Sequence, residues 1–245
     1  MSRLLEEMNW KELEKALRET KTVIVPCGST EEHGYHLPLS TDTLIACEIA
    51  RRTAERVNVL VAPPINYGVC RSTGSFPGTL TISLDALRAL VEEICESLHA
   101  HGFRNIILLP GHLGAAQMVG LELAAQKLVE KHQDLSMAVV RWEEAIKKLT
   151  GTVLKDPRDG HAGEAETSLM LALKPELVRM EKTVDEHPRF PEHLVVAKPG
   201  DYLKSGVMGS PTKASREKGE KILEALVREV EELVKRMEKR RQHRK

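Results

Sequence analysis

Short apolar runs alternate with amphipathic stretches from one end of this chain to the other, and that alternation restricts the fold more than any single motif does. "TVIVPC" is a β-branched run of the kind buried on both faces of a parallel sheet, and "NVLVAP", "RNIILLP" and "SMAVVRW" repeat it. Between these runs lie "TLIACEIARRTAERV", opened by Asp42, then "LDALRALVEEICESLHAH" and "AAQMVGLELAAQKLVEKH", all apolar at helical spacing. Gly102 stops the second of these helices. "NWKELEKALRE" precedes the first strand, and "GEAETSLMLAL" follows the fourth after the loop "KDPRDGHAG". Strand and helix in alternation imply an α/β fold, a layered sandwich with a mostly parallel central sheet and helices on both faces. A last helix carries the apolar stripe Ile222, Leu223, Leu226, Val227, Val230, Leu233, Val234 and Met237.

At 245 residues the chain is expected to form a single domain, 1–245, with a long Pro/Gly-rich loop at 182–212 and a basic tail at 238–245. A loop of that length is more often a lid or an oligomer contact than an idle linker. Basic and acidic side chains number 36 each, so no net field favours nucleic acid or an anionic membrane, and the tail reads as solvated. No apolar stretch approaches the roughly 20 residues of a membrane span, and the amino terminus is acidic and helical rather than a signal peptide. These features predict a cytoplasmic protein whose partners are a small-molecule substrate and further copies of itself. Cys27, Cys47, Cys70 and Cys95 form no C-x-x-C pair and read as buried thiols. Asn and Gln are scarce while charged residues reach 29%, the compositional tilt of proteins from hot environments.

"GSTEEHGYHLPLSTD", directly after the first strand, crowds carboxylates and histidines into one loop. In an open parallel sheet such loops converge beyond the carboxyl ends of the strands, where ligands bind. Glu31 and His33 project to one side of an extended segment. Gly34 and Pro38 let the chain bend so that Asp42 returns to the same cavity. His112 lies two residues past the third strand, and "DGHAGEAETS" adds His161 and Glu166. Carboxylate plus imidazole is the ligand set of zinc, manganese or iron, and a carboxylate can bridge two ions. Spacing alone leaves a second reading open, in which the acidic residues cap helices and the histidines are structural.

Together "PCGSTEEHGYHLPLSTD", "FPGT", "GH" after the third strand, "HAGEAETS" and "GVMGSPTKASREKGEKI" resemble the creatininase family of metal-dependent amidohydrolases, over nearly the whole chain. The resemblance implies two divalent ions (Zn, Mn or Fe) per subunit, with Glu31, His33, His112 and a bridging Asp42 as ligands. It also implies an α/β sandwich that assembles as a homohexamer. Where creatininase itself has a further glutamate ligand this chain has Gly114, and Glu166 is the expected replacement. Many relatives read "GHGGN" where "GHLGA" stands here, so an Asn is replaced by Ala115, and a His three residues before "FPGT" is Thr73. Ser72, Thr73, Tyr35 and His36 are the candidate substrate contacts, with His36 read equally as an orienting or a structural residue.

The expected chemistry is hydrolysis of a small polar C–N bond, a cyclic amide or a formamide, with Glu166 in the catalytic group and His161 carrying a proton to the leaving nitrogen. Structural support of its loop is the rival role for His161. Two other functions are kept in view: hydrolytic ring opening of an inositol-derived cyclic diketone by the same two ions, and a metal-binding homologue that no longer turns over substrate.

Overall fold

The computed structural model describes residues 2–243. Four strands, β1 (Thr22–Cys27), β2 (Leu60–Val61), β3 (Asn105–Pro110) and β4 (Ser136–Val139), form one parallel sheet in the order β2-β1-β3-β4. β1 pairs with β3 over its whole length, Thr22 opposite Asn105 and Cys27 opposite Pro110. Every residue of both strands is buried, as their unbroken apolar runs require. Pro26 and Pro110, which have no N–H to donate, fall where the ladder gives way to loops.

Alternate side chains of the two central strands feed two separate apolar layers, as the period of two in a strand demands. Val23, Val25, Cys27, Ile106 and Leu108 pack toward α1 (Trp10–Glu19), α3 (Leu84–Ala100) and α4 (Ala115–Lys131). Ile24, Ile107 and Leu109 face α2 (Thr41–Arg56), α5 (Glu143–Leu149), α6 (Glu164–Leu173) and α7 (Arg216–His243) on the other side. The chain is therefore an α/β/α sandwich with helices on both faces, as the alternation predicts. α1 is fixed at its start by a capping box: the Asn9 side chain accepts the N–H groups of Lys11 and Glu12, while Glu12 accepts that of Asn9.

α7 buries the predicted stripe. Ile222, Leu223, Leu226, Val227, Val230, Val234 and Met237 are in the core and Leu233 packs at its edge. Each such side chain contributes roughly 1.5–3 kcal/mol by leaving water. The helix does not end where the sequence suggests a solvated tail. It continues to His243, and Glu238 accepts a hydrogen bond from Thr22 at the start of β1. Of the expected tail, Arg244 and Lys245 lie outside the described residues. Two smaller differences are β2, only two residues long, and α5, a short helix that no periodic run announces.

From β1 the chain passes to β2 on one side, then crosses back over β1 to β3 on the other. Connections diverge between β1 and β3, and the cleft beyond their carboxyl ends is the topological switch point at which α/β proteins bind ligands. Segment 182–212 is irregular and returns to this edge. Glu186 and Gly209 exchange backbone hydrogen bonds, and Met208 N–H bonds the carbonyl of His161. Among the described residues no helix is long and apolar enough to cross a membrane.

Candidate metal centre

Two glycines let the site form. Gly111 follows β3, and a Cβ there would lie 2.0 Å from the carbonyl oxygen of Asp42, so only glycine lets the exit of β3 pass over the first turn of α2. That crossing brings His112 beside Asp42. Gly34, with φ +63°, turns the loop after His33.

The five predicted ligands converge in one cluster, four of them buried and Glu166 half-buried. His33 Nε2 is 3.0 Å from Asp42 Oδ1 and 3.7 Å from Glu166 Oε2. His112 Nδ1 is 2.8 Å from Glu31 Oε2 and 3.3 Å from Asp42 Oδ2. The two oxygens of Asp42 thus face different histidines. Each histidine is oriented from behind by a carbonyl: His33 Nδ1–H donates to Glu31 O at 3.0 Å, and His112 Nε2–H to Val69 O at 3.2 Å. Because a carbonyl only accepts, these contacts hold a proton on His33 Nδ1 and His112 Nε2, so that on metal binding the protons facing the carboxylates leave from His33 Nε2 and His112 Nδ1. Ser29 Oγ–H donates to Asp42 Oδ2 at 2.6 Å and Ala162 N–H to Glu166 Oε2 at 2.6 Å. Their donor atoms resolve into two groups, Glu31 with His112 and Cys70, and His33 with His161 and Glu166, each within 4.8 Å.

In the absence of ions the charges lean on one another. Burial favours neutral His33, but Asp42, Glu166 and Glu31 outweigh it and push its pKa up to about 10. Burial likewise opposes ionised Asp42, yet the His33 and His112 rings hold it well below the usual carboxylate range. Glu166 goes the other way, raised first by burial despite the charge of His33. Carboxylates and imidazoles so poised against one another, with oriented tautomers, fit divalent ions.

His161 stands beside His33, ring centroids 4.3 Å apart, and its Nε2–H donates to the Glu32 carbonyl at 2.7 Å. Ala162, next to it, takes the unusual φ of +51°. The candidate substrate contacts divide. Thr73 is buried and its hydroxyl donates to Glu31 Oε1, so it orients the carboxylate of a predicted ligand. His36 is buried too, bonded to Thr167 Oγ1 at 2.9 Å, and burial together with the charge of His33 lowers its pKa to about 4. Tyr35 is 59% exposed, its hydroxyl donating to the carbonyl of Lys204 at 3.5 Å, and Ser72 is half-buried. Sequence reasoning missed Cys70 as a neighbour of the cluster. It lies on the loop after β2, which leaves the same edge of the sheet, and that placement was its only signal.

The sequence profile of the family described as creatinine amidohydrolase matches residues 6–234. The chain belongs to the creatininase family. Creatinine amidohydrolase from Pseudomonas putida is 32% identical over 94% of this chain and 95% of its own. A mycofactocin precursor peptide peptidase from Mycolicibacterium smegmatis is 32% identical over 87% of this chain and 84% of its own. A 3-dehydro-scyllo-inosose hydrolase from Thermotoga maritima is 30% identical over 93% and 81%. A mutant creatininase of the Zn-Zn type superposes with a TM-score of 0.84 at 32% identity, covering 97% of this chain and 98% of that one. A manganese creatininase gives 0.83 at 31%, covering 97% and 99%. This member of the creatininase family is a hydrolase with a site suited to divalent metal.

Proposed function

We propose that this creatininase-family hydrolase holds two divalent ions and cleaves a small polar C–N bond, a cyclic amide or a formamide. The observation that carries the two-ion reading is Asp42, whose Oδ1 faces His33 and whose Oδ2 faces His112. Glu31 and His112 would hold one ion, His33 and Glu166 the other, with Asp42 shared. When bound, such ions supply Lewis acidity and bring the pKa of a water from 15.7 to about 7.

The chain's own residues do the rest. Ser29 and Thr73 hold the carboxylates of Asp42 and Glu31, and the backbone of Ala162 holds Glu166. His161 keeps the proton on Nε2 against the Glu32 carbonyl, which leaves Nδ1 as the atom that accepts a proton and returns it to the leaving nitrogen. The carboxylates that raise its pKa against burial and the charge of His33 include Glu31 and Glu166, both proposed ligands. A compact substrate fits a chain with only 3% aromatic residues, which offers no extended stacking platform. Ala115 cannot supply the hydrogen bond an Asn would make, so activity on creatinine itself is expected to be weak.

A second reading, ring opening of a cyclic diketone, is favoured by the inosose hydrolase named above. The test is to assay the metal-loaded protein on creatinine, formamidopyrimidines and cyclic diketones. Release of amine or formate supports the proposal; carbon–carbon ring opening without amide cleavage transfers it to the second reading, and bound metal without turnover rejects both. We also propose that residues 1–245 act as one domain, in a cytoplasmic homohexamer whose contacts include segment 182–212; a monomer mass by light scattering would reject the assembly.

A further inference from the structure

The two ion positions are not built alike. On the His33 side the nearest donors are His33, Glu166, one oxygen of Asp42 and His161. On the other side the cluster is Glu31, His112, the second oxygen of Asp42 and a thiol: the Sγ of Cys70, a Glu31 oxygen and a His112 nitrogen all lie within 4.8 Å of one another. Position 114 adds no donor there. It is glycine, and a Cβ would stand 2.6 Å from His112 Nε2.

Cys70 is placed as firmly as the ligands are. It is fully buried, its N–H donates to Thr81 Oγ1 at 3.0 Å, and the preceding Val69 N–H donates to Gln117 Oε1 at 2.9 Å. The carbonyl of that same Val69 orients His112. One short stretch of backbone therefore aims the imidazole and delivers the thiol to the same point. Of the four cysteines, Cys27 and Cys95 lie in the apolar layer of α3 and α4, away from any carboxylate cluster.

Building on the two-ion reading above, we infer that Cys70 is a thiolate ligand of the ion held by Glu31 and His112. On binding, the thiol loses its proton to solvent and sulfur donates to the metal. Four protein donors then close that position in the manner of a structural zinc site, while on the His33 side His161 is reserved as the proton carrier of the proposed mechanism, which leaves three ligands and room for water and substrate. Thiolate is a soft ligand that suits zinc and is poorly matched to manganese. The two positions differ in metal preference: zinc beside Cys70, a less discriminating site beside His33.

The experiment loads the full chain with zinc, counts the metal, and records X-ray absorption at the zinc edge for the wild type, Cys70→Ser and Cys47→Ser. The expected wild-type result is two zinc per chain and a sulfur shell at about 2.3 Å with an occupancy near one sulfur per two zinc. Cys47→Ser keeps that shell. Cys70→Ser loses it, and one of its two zinc ions weakens by more than the roughly 10–100-fold that loss of a supporting hydrogen bond costs. Two zinc bound with only nitrogen and oxygen neighbours would overturn this inference and leave the two-ion reading standing. Fewer than two zinc in the wild type would overturn both. The wild-type spectrum decides alone if Cys70→Ser fails to fold.

Discussion

Asp42→Asn keeps the shape of the side chain and removes its charge, so it isolates what that charge does. Asp42 Oδ1 lies 3.0 Å from His33 Nε2 in a fully buried pair. At an effective dielectric constant near 20, two unit charges at that separation interact by about 5 kcal/mol, or about 4 pK units. Asp42 is the largest of the influences that raise His33 to about 10 against burial. Without it, burial dominates and the ring should titrate at or below the ordinary 6.5. The assay is the pH titration of the His33 Cε1–H resonance in metal-free wild type and Asp42→Asn, with circular dichroism to confirm that both are folded. Metal analysis of the same variant should show fewer than two ions, since the amide oxygen can serve one ion but the amide nitrogen cannot ligate the other, and Asp42→Ala should lose both. A His33 midpoint unmoved from about 10 would refute the electrostatic reasoning, and a content still near two ions would refute the bridging role.

His161→Ala should retain its metal and lose roughly 10²–10⁴-fold in kcat, the usual contribution of a positioned proton carrier; wild-type rates would remove it from the mechanism. Lys218 pairs with Glu164, a fully buried carboxylate at the start of α6. Lys218→Met leaves that charge unpaired and should cost roughly 3–5 kcal/mol in urea unfolding; a loss under 1 kcal/mol would show that the backbone N–H groups of Lys155 and Asp156 suffice for Glu164. His36, with its pKa lowered to about 4, stays neutral in the fold while the unfolded chain takes up a proton near 6.5. Its contribution is present above pH 6.5 and lost as pH falls toward 4, by up to roughly 3 kcal/mol relative to His36→Gln; parallel stability curves for the two proteins would contradict this.

Much of this architecture could be read from periodicity, because the strands β1 and β3 are buried on both faces and only a continuous apolar run survives there. The helices were equally plain where one stripe meets a sheet, as in α7. What the sequence obscured depends on contacts distant in the chain. The last turns of α7 look like a charged tail until Glu238 is seen to meet Thr22, and α5 is too short to show a period. The same holds at the site. Glu31, His33 and Asp42 share one loop and declare themselves by type and spacing, and the family motif joined His112 and Glu166 to them. Thr73 and His36 look like substrate contacts because polar residues in a site loop usually are, yet folding turns both inward to partners elsewhere. Cys70 was invisible because a thiol becomes a neighbour of Glu31 only when the loop after β2 folds back across the sheet edge.

The loop that carries Glu31, His33 and Asp42 hangs from β1, a central strand paired along its length with β3 and covered on both faces. Central strands open to hydrogen exchange only when the whole domain unfolds, whereas loops anchored at an edge fray on their own. Local opening of this loop therefore leaves its root on β1 in place. An ion seated here departs by stepwise exchange of its ligands for water. Every ion bound to the folded chain alone therefore adds to the free energy of the entire domain by mass action, and chelation would be felt as lowered resistance to unfolding at strands and helices that touch no metal.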